Sequence, residues 1–137
     1  MANTIRKMDY FYVMVGNKPG QGAKVVKGLA DNGVNLVAFS GFPSGKGAQV
    51  VFVPDDAKVF RRAAKKMKLA TSKAQTAFLV SGDDRPGAVA RLVARLADRK
   101  INITAVDAVA AGKGRFGAIL WVKQKNVKKA AKALGAK

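Results

Sequence analysis

The chain contains one sequence pattern twice, and this repeat restricts the folds open to it more than any other feature. When the sequence is shifted by 67 positions, from residue 17 to residue 84, Asn17-Lys18-Pro19-Gly20 aligns with Asp84-Arg85-Pro86-Gly87. Under the same shift Val34-Asn35-Leu36 aligns with Ile101-Asn102-Ile103. An internal repeat of this kind indicates one structural module used twice. Any fold assigned to the chain must therefore accommodate two similar halves.

The length of the repeat predicts two small domains that depend on each other. The chain has 137 residues, 49% of them hydrophobic and 25% charged, which is typical of a globular protein. A module of 67 residues, the length of the shift from residue 17 to residue 84, buries a small share of its surface when it folds alone. We predict domains at residues 1–72 and 73–137, and we expect them to pack together or to share a sheet.

Each repeat is predicted to follow the order strand, helix, strand, strand, helix. Hydrophobic periodicity and turn residues place these elements in the first repeat at residues 10–15, 23–30, 34–42, 48–53 and 59–67. We expect Pro19 in the first helical turn and an N-cap at Asp55 or Asp56. A last strand at 69–72 stays unassigned. The βαββα(β) order predicts an α+β, ferredoxin-like fold with helices on one face of an antiparallel sheet.

The charge balance leaves a second function open. With 26 Lys and Arg residues against 8 Asp and Glu, the net charge is +18, and such a field attracts polyanions or an acidic partner. Ferredoxin-like sheets also bind RNA. The alternative is therefore a basic module that binds nucleic acid, although a solvated helix face explains the same charges. The basic residues concentrate on predicted helices, at Lys58, Arg61, Arg62, Lys65, Lys66, Lys68, Arg91, Arg95, Arg99, Lys100, Lys125, Lys128, Lys129 and Lys132.

The residue inventory argues against catalysis. The chain contains no His and no Cys, so it lacks the usual acid–base pairs, nucleophile pairs and soft metal ligands. Gly45-Lys46-Gly47 and Gly112-Lys113-Gly114 do not fit the spacing of a phosphate-binding loop, and we interpret them as hairpin turns. We expect a soluble cytoplasmic protein that is not an enzyme and that uses no cofactor, metal or membrane span.

The repeated motifs resemble those of the ACT domain, a small regulatory module that binds amino acids. The match is close at Asp84-Arg85-Pro86-Gly87-Ala88 and at Ile101-Asn102-Ile103-Thr104, and it covers the chain from about Tyr10. The resemblance implies a tandem ACT protein whose ligand is an amino acid or a related molecule. We also expect a homodimer, because the exposed edges of such sheets need covering, and a protein target regulated in trans because no second functional domain accompanies the repeats.

The same resemblance implies the residues of the ligand site. A free helix N-terminus suits a carboxylate, and Asn side chains offer both a donor and an acceptor. Because Asn17 replaces the usual Asp, we expect the first site to differ from the second. The predicted ligand-binding residues are Asp84, Arg85, Pro86, Gly87, Ala88, Asn102 and Thr104, with Asn17, Lys18, Gly20, Gln21 and Asn35 in the first repeat.

Overall fold

The structure, a computed structural model, describes residues 3–137, so the first two residues of the predicted domain 1–72 lie outside it. It confirms an α+β protein with antiparallel strands. Within the described range there are six strands and four α-helices: β1 (Thr4–Gly16), α1 (Gln21–Asp31), β2 (Leu36–Ser44), β3 (Gly47–Pro54), α2 (Ala57–Lys66), β4 (Gln75–Asp83), α3 (Ala88–Ala97), β5 (Ile103–Gly112), β6 (Arg115–Val122) and α4 (Val127–Leu134).

The described chain divides into two compact units. The first unit is residues 9–75, and the second unit combines residues 3–8 with residues 76–137. Strand β1 therefore supplies residues to both units, because it crosses the division between residues 8 and 9. None of the described helices is long and apolar enough to cross a membrane.

The first unit has the strand order β2-β3-β1, with antiparallel pairing throughout. Its core combines Phe11 of β1 and Phe52 of β3 with Leu29 of α1 and Phe60 of α2. The rings of Phe11 and Phe60 stack with their centroids 4.5 Å apart. Phe11 and Phe52 are paired across the two strands, so they lie on one face, and both helices pack against that face.

The second unit has the order β1-β4-β6-β5, in which β1 contributes its residues up to Met8. Its core contains Phe78, Leu96, Leu120 and Leu134, and Ile5 joins them with only 5% of its surface exposed. The N–H of Lys7 donates to the carbonyl of Lys137 at 3.0 Å. The strand predicted to begin at Tyr10 thus begins earlier, and its first residues belong to a different unit from the rest.

All four helices end in the same turn, in which one residue takes the left-handed conformation. In α3, the N–H of Ile101 donates to the carbonyl of Leu96 at 3.0 Å, and that of Lys100 donates to Ala97 at 2.9 Å. This six-to-one and five-to-two pairing is a Schellman motif. The left-handed residues, with their φ angles, are Gly33 (82°), Lys68 (54°), Lys100 (57°) and Gly135 (66°).

The helix starts differ from the prediction at α1 and agree with it at α2. Pro19 does not lie in the first turn of α1, because Gly20 precedes the helix with a φ of 90°, a conformation outside the helix. At α2 the predicted cap is confirmed, since Asp56 accepts hydrogen bonds from the N–H groups of Lys58 and Val59. At α4 the side chain of Asn126 makes no capping hydrogen bond, since a 3₁₀ turn at Gln124–Asn126 leads directly into the helix.

The outermost strand of each unit is exposed. Strand β5 is the last strand in the order of the described sheet and pairs with β6, and residues 104–112 are exposed on both of its faces. Val109 has 70% of its surface exposed, and Phe39 of β2 has 53%. Long exposed strands with apolar side chains can pair with another chain.

Candidate functional site

The motif that carries the family resemblance forms an exposed turn between β4 and α3. The backbone N–H of Asp84 donates to the carbonyl of Gly114 at 2.8 Å, and the carbonyl of Arg85 accepts from the N–H of Ala88 at 3.1 Å. Gly87 precedes the helix with a φ of 87°, a conformation that favours glycine. Pro86 is exposed, whereas Ala88 is 7% exposed and packs in the core.

The two adjacent carboxylates at this turn, Asp83 and Asp84, have different surroundings. Asp83 forms an ion pair with Arg115 whose Oδ1 and Nη1 atoms are 2.6 Å apart, and Arg115 also donates to Ser81 at 2.9 Å. The side chain of Asp84 is exposed and forms no hydrogen bond with another described residue. Of the two carboxylates, Asp84 is therefore the one available to a ligand.

The equivalent turn of the first unit has the same shape. Gly20 has a φ of 90°, and the carbonyl of Lys18 accepts from the N–H of Gln21 at 3.3 Å. Asn17 is exposed, so an amide stands where the second unit presents the carboxylate of Asp84. The two turns thus have one backbone geometry and different charge.

A groove of about 380 Å³ lies in the second unit, between α3 and the start of β5. Its volume is near the lower end of the range for small-molecule sites, about 300–1,000 Å³. Of the predicted site residues only Asn102 lines it. Thr104 lies beside it, at the irregularity where the β5–β6 register shifts between Ile103 and Ala105. The groove is lined by Val93, Ala97, Lys100, Ile101, Asn102 and Ile103.

The turn residues are not among the groove-lining residues, so the structure does not bring all the predicted positions together. Asp84, Arg85 and Gly87 lie at the beginning of α3, whereas Lys100 and Asn102 follow its end. The ten residues of α3 separate them by about 15 Å along the helix axis. A small ligand in the groove therefore contacts the second set rather than the first.

The groove also contains residues that were not predicted to bind a small ligand. Lys100 contributes a cation, while Val93 and Ala97 contribute apolar surface from one side of α3. The signal for Lys100 was present in the repeat, because the 67-position shift aligns it with Gly33. The conformation there favours Gly, and the same shift aligns Lys68 with Gly135, so the alignment alone does not distinguish Lys100 from Lys68.

The corresponding region of the first unit is built differently. The side chain of Asn35 donates to the carboxylate of Asp55 at 3.2 Å, and its carbonyl accepts from the N–H of Asp55 at 3.0 Å. Gly33 provides no side chain at the position of Lys100, and the ring of Phe39 packs 5.6 Å from that of Phe52. Asn35 therefore has a structural role, while the side chain of Asn102 forms no hydrogen bond with another described residue.

Comparisons with known proteins identify the fold. No family model and no curated protein sequence matches the chain. Protein BT0572 from Bacteroides thetaiotaomicron has a similar structure, with a TM-score of 0.80 and 19% identity over 97% of this chain and 88% of that one. The ligand-free regulatory subunit of aspartate kinase from Thermus thermophilus has a TM-score of 0.64 and 19% identity over 98% of this chain and 93% of that one. The regulatory subunit of aspartate kinase from Thermus flavus has a TM-score of 0.59 and 17% identity over 98% of this chain and 94% of that one. These likenesses support an ACT-type fold.

Proposed function

We propose that this protein is a non-catalytic regulatory or sensing module that binds a small ligand of the amino-acid type. The observation that carries the proposal is the groove of the second unit, where the polar groups of Lys100 and Asn102 adjoin the apolar Val93, Ala97 and Ile103. Small-molecule sites commonly combine an apolar lining with a few polar groups that orient the ligand. The likeness to regulatory subunits of aspartate kinase supports the same class of function.

The repeat and the exposed strands extend this proposal to the assembly. We take residues 1–72 and 73–137 as tandem ACT-like modules in a cytoplasmic homodimer that acts on another protein in trans. The exposed β5 strand supports self-association, because its free edge and Val109 remain uncovered. Sedimentation velocity should show a dimer at micromolar concentration. A monomer at all concentrations would contradict this part of the proposal and leave ligand binding unaffected.

A ligand screen tests the proposal directly. The melting temperature of the protein should rise with one or a few of the common amino acids or their 2-oxo acids, because a ligand that binds only the native state stabilises it. Asn102→Ala should abolish the rise without changing the melting temperature of the free protein. Asn35→Ala is not a matched control, since it breaks the hydrogen bond to Asp55.

A second variant tests whether the turn between β4 and α3 contributes to ligand binding. Asp84→Ala removes an exposed carboxylate that has no described partner, so the fold should be unaffected. If the turn contributes to binding as the ACT resemblance implies, the thermal shift should shrink in this variant. An unchanged shift would confine the site to the groove. No shift with any compound would reject the proposed function.

A polyanion-binding function has one specific observation in its favour. Helix α2 presents the exposed residues Arg61, Arg62, Lys65 and Lys66, and none forms an ion pair with a described carboxylate. Changing these four residues to Gln should weaken binding of a single-stranded oligonucleotide and reduce its salt dependence. Fluorescence anisotropy at several salt concentrations measures both. If the variant binds the oligonucleotide with the same salt dependence as the unchanged protein, this face of α2 is not the binding surface.

A further inference from the structure

Lys100 occupies a backbone conformation that its side chain does not favour. Its φ angle is 57°, in the left-handed region, and the residue aligned with it in the first unit is Gly33. The turn itself requires only the conformation, because Gly33 closes α1 with the same pair of hydrogen bonds. The Lys side chain is therefore not needed to end the helix. A residue held in an unfavourable conformation is a reason to ask what its side chain does.

The side chain of Lys100 lies where a ligand could use its charge. It lines the groove, and it forms no ion pair with a described carboxylate. Asn102, two residues further, also lines the groove and has no hydrogen-bond partner among the described residues. Together they offer an ammonium and an amide, a pair of donors that suits a carboxylate.

The groove carries a positive charge and no negative side chain. Its six lining residues include Lys100 and no Asp or Glu, so the amide oxygen of Asn102 is the one side-chain acceptor that they offer to an ammonium. The α-ammonium of an amino acid bound by its carboxylate would lie close to the Lys100 ammonium without a carboxylate to balance it. Two like charges about 6 Å apart in water repel enough to weaken binding about threefold.

We propose that the groove of the second unit is an anion site for small apolar carboxylic acids, with Lys100 and Asn102 as its anchors. We further propose that it prefers a 2-oxo acid to the amino acid with the same side chain. The apolar part of the ligand lies on Val93, Ala97 and Ile103. This inference rests on the proposed function and makes it specific, since it names the ligand class and the residue that selects it.

The competing explanation is that Lys100 only complements the negative end of the α3 dipole. Lys68 provides a matched control, because it ends α2 in the same turn with a φ of 54° and does not line the groove. Substitution by Met keeps the length of either side chain and removes its charge. A dipole effect would change the stability of both variants alike and leave ligand affinity unchanged in both.

The experiment measures affinity by amide chemical shifts for three matched pairs: pyruvate and alanine, 4-methyl-2-oxopentanoate and leucine, phenylpyruvate and phenylalanine. The best-binding oxo acid should shift the amides of Val93, Ala97 and Ile103 and bind about threefold tighter than its amino acid. The amine 3-methylbutylamine should not shift them. Lys100→Met should weaken the oxo acid about tenfold, as expected when a charged hydrogen bond is lost. Lys68→Met should change nothing.

Two results overturn the inference, and they can be told apart. If an amino acid binds in the groove while its oxo acid does not, or if Lys100→Met leaves affinity unchanged, the inference is wrong and the proposed function stands. If none of the carboxylates shifts the groove amides at about 10 mM, roughly ten times a Kd of 1 mM, the inference is wrong, and the thermal-shift screen against all the common amino acids decides the proposed function. Lys100→Arg serves as the retained-charge variant and should keep binding within about threefold.

Discussion

Replacing Lys100 by glycine should stabilise the protein while removing the proposed ligand anchor. The left-handed conformation costs an L-residue about 1–2 kcal/mol, and Lys100 has a φ of 57°. Glycine removes this cost, but its greater freedom in the unfolded chain takes back about 0.4–1 kcal/mol. The Lys100 side chain is exposed, so little packing is lost. The expected net gain in the free energy of unfolding is therefore about 0.5–1 kcal/mol.

Urea denaturation followed by circular dichroism measures this gain. With a dependence of about 2 kcal/mol per molar urea, the midpoint should rise by about 0.25–0.5 M at constant slope. Lys68→Gly should show a gain of similar size, because Lys68 has a φ of 54° and is also exposed. Lys100→Gly alone should also lose affinity for the carboxylate, so stability and binding would change in opposite directions.

A lower midpoint in both variants would refute the reasoning, because it would mean that the left-handed turn favours Lys over Gly. A gain at Lys68 together with a loss at Lys100 would have a different meaning. It would show that the Lys100 side chain makes a stabilising contact in the free protein, which would contradict its assignment as an unpaired anchor.

Two further predictions concern stability. Asp56→Ala should lower the free energy of unfolding by about 1 kcal/mol, because it removes the hydrogen bonds from the N–H groups of Lys58 and Val59. Asn126→Ala should change it little, because the Asn126 side chain forms no capping hydrogen bond. Equal losses in urea denaturation would contradict this assignment of the caps. Ile5→Ala should cost about 2–5 kcal/mol because Ile5 is 5% exposed within the core of the second unit, while the exposed neighbour Thr4→Ala should be nearly neutral. A small effect of Ile5→Ala in thermal melts would mean that this segment contributes little to the unit.

Most of the secondary structure could be predicted because short-range signals determine it. A continuous apolar run from Val50 to Val53 marked β3, and a helical stripe through Phe60 and Ala63 marked α2. Pro19 was misplaced because Pro is common both in and before the first helical turn, and only the left-handed Gly20 decides between them. That conformation is not encoded in any spacing.

The two Gly-Lys-Gly turns show how identical sequences can take different conformations. In the first hairpin only Gly45 has a positive φ, at 58°, which fits a type II′ turn. In the second both Lys113 and Gly114 have positive φ angles, of 56° and 71°, which fits type I′. The register shift between Ala110 and Gly112 accompanies this change. The repeat predicted two hairpins, but strand pairing rather than the turn sequence selected each turn.

The candidate site was predicted only in part. Asn102 was identified through the family resemblance and does line the groove, whereas Lys100 was identified only as one of the basic residues that could attract a polyanion. Its importance depends on the combination of a left-handed backbone, an exposed charge and a position beside α3, which sequence spacing does not specify. The contrast with Asn35 also needed the structure, because the hydrogen bond to Asp55 joins residues 20 positions apart.

The division of β1 between the units has a consequence for the order in which the chain folds. Residues 9–75 are continuous, so the first unit can fold while the rest of the chain is still being synthesised. The second unit joins residues 3–8 to residues 76–137, and Lys7 pairs with Lys137. Such distant contacts form slowly, and the early segment must wait until its partners have emerged. During that interval residues 3–8 lack their partners from residues 76–137, and this is the stage at which two nascent chains can exchange strands.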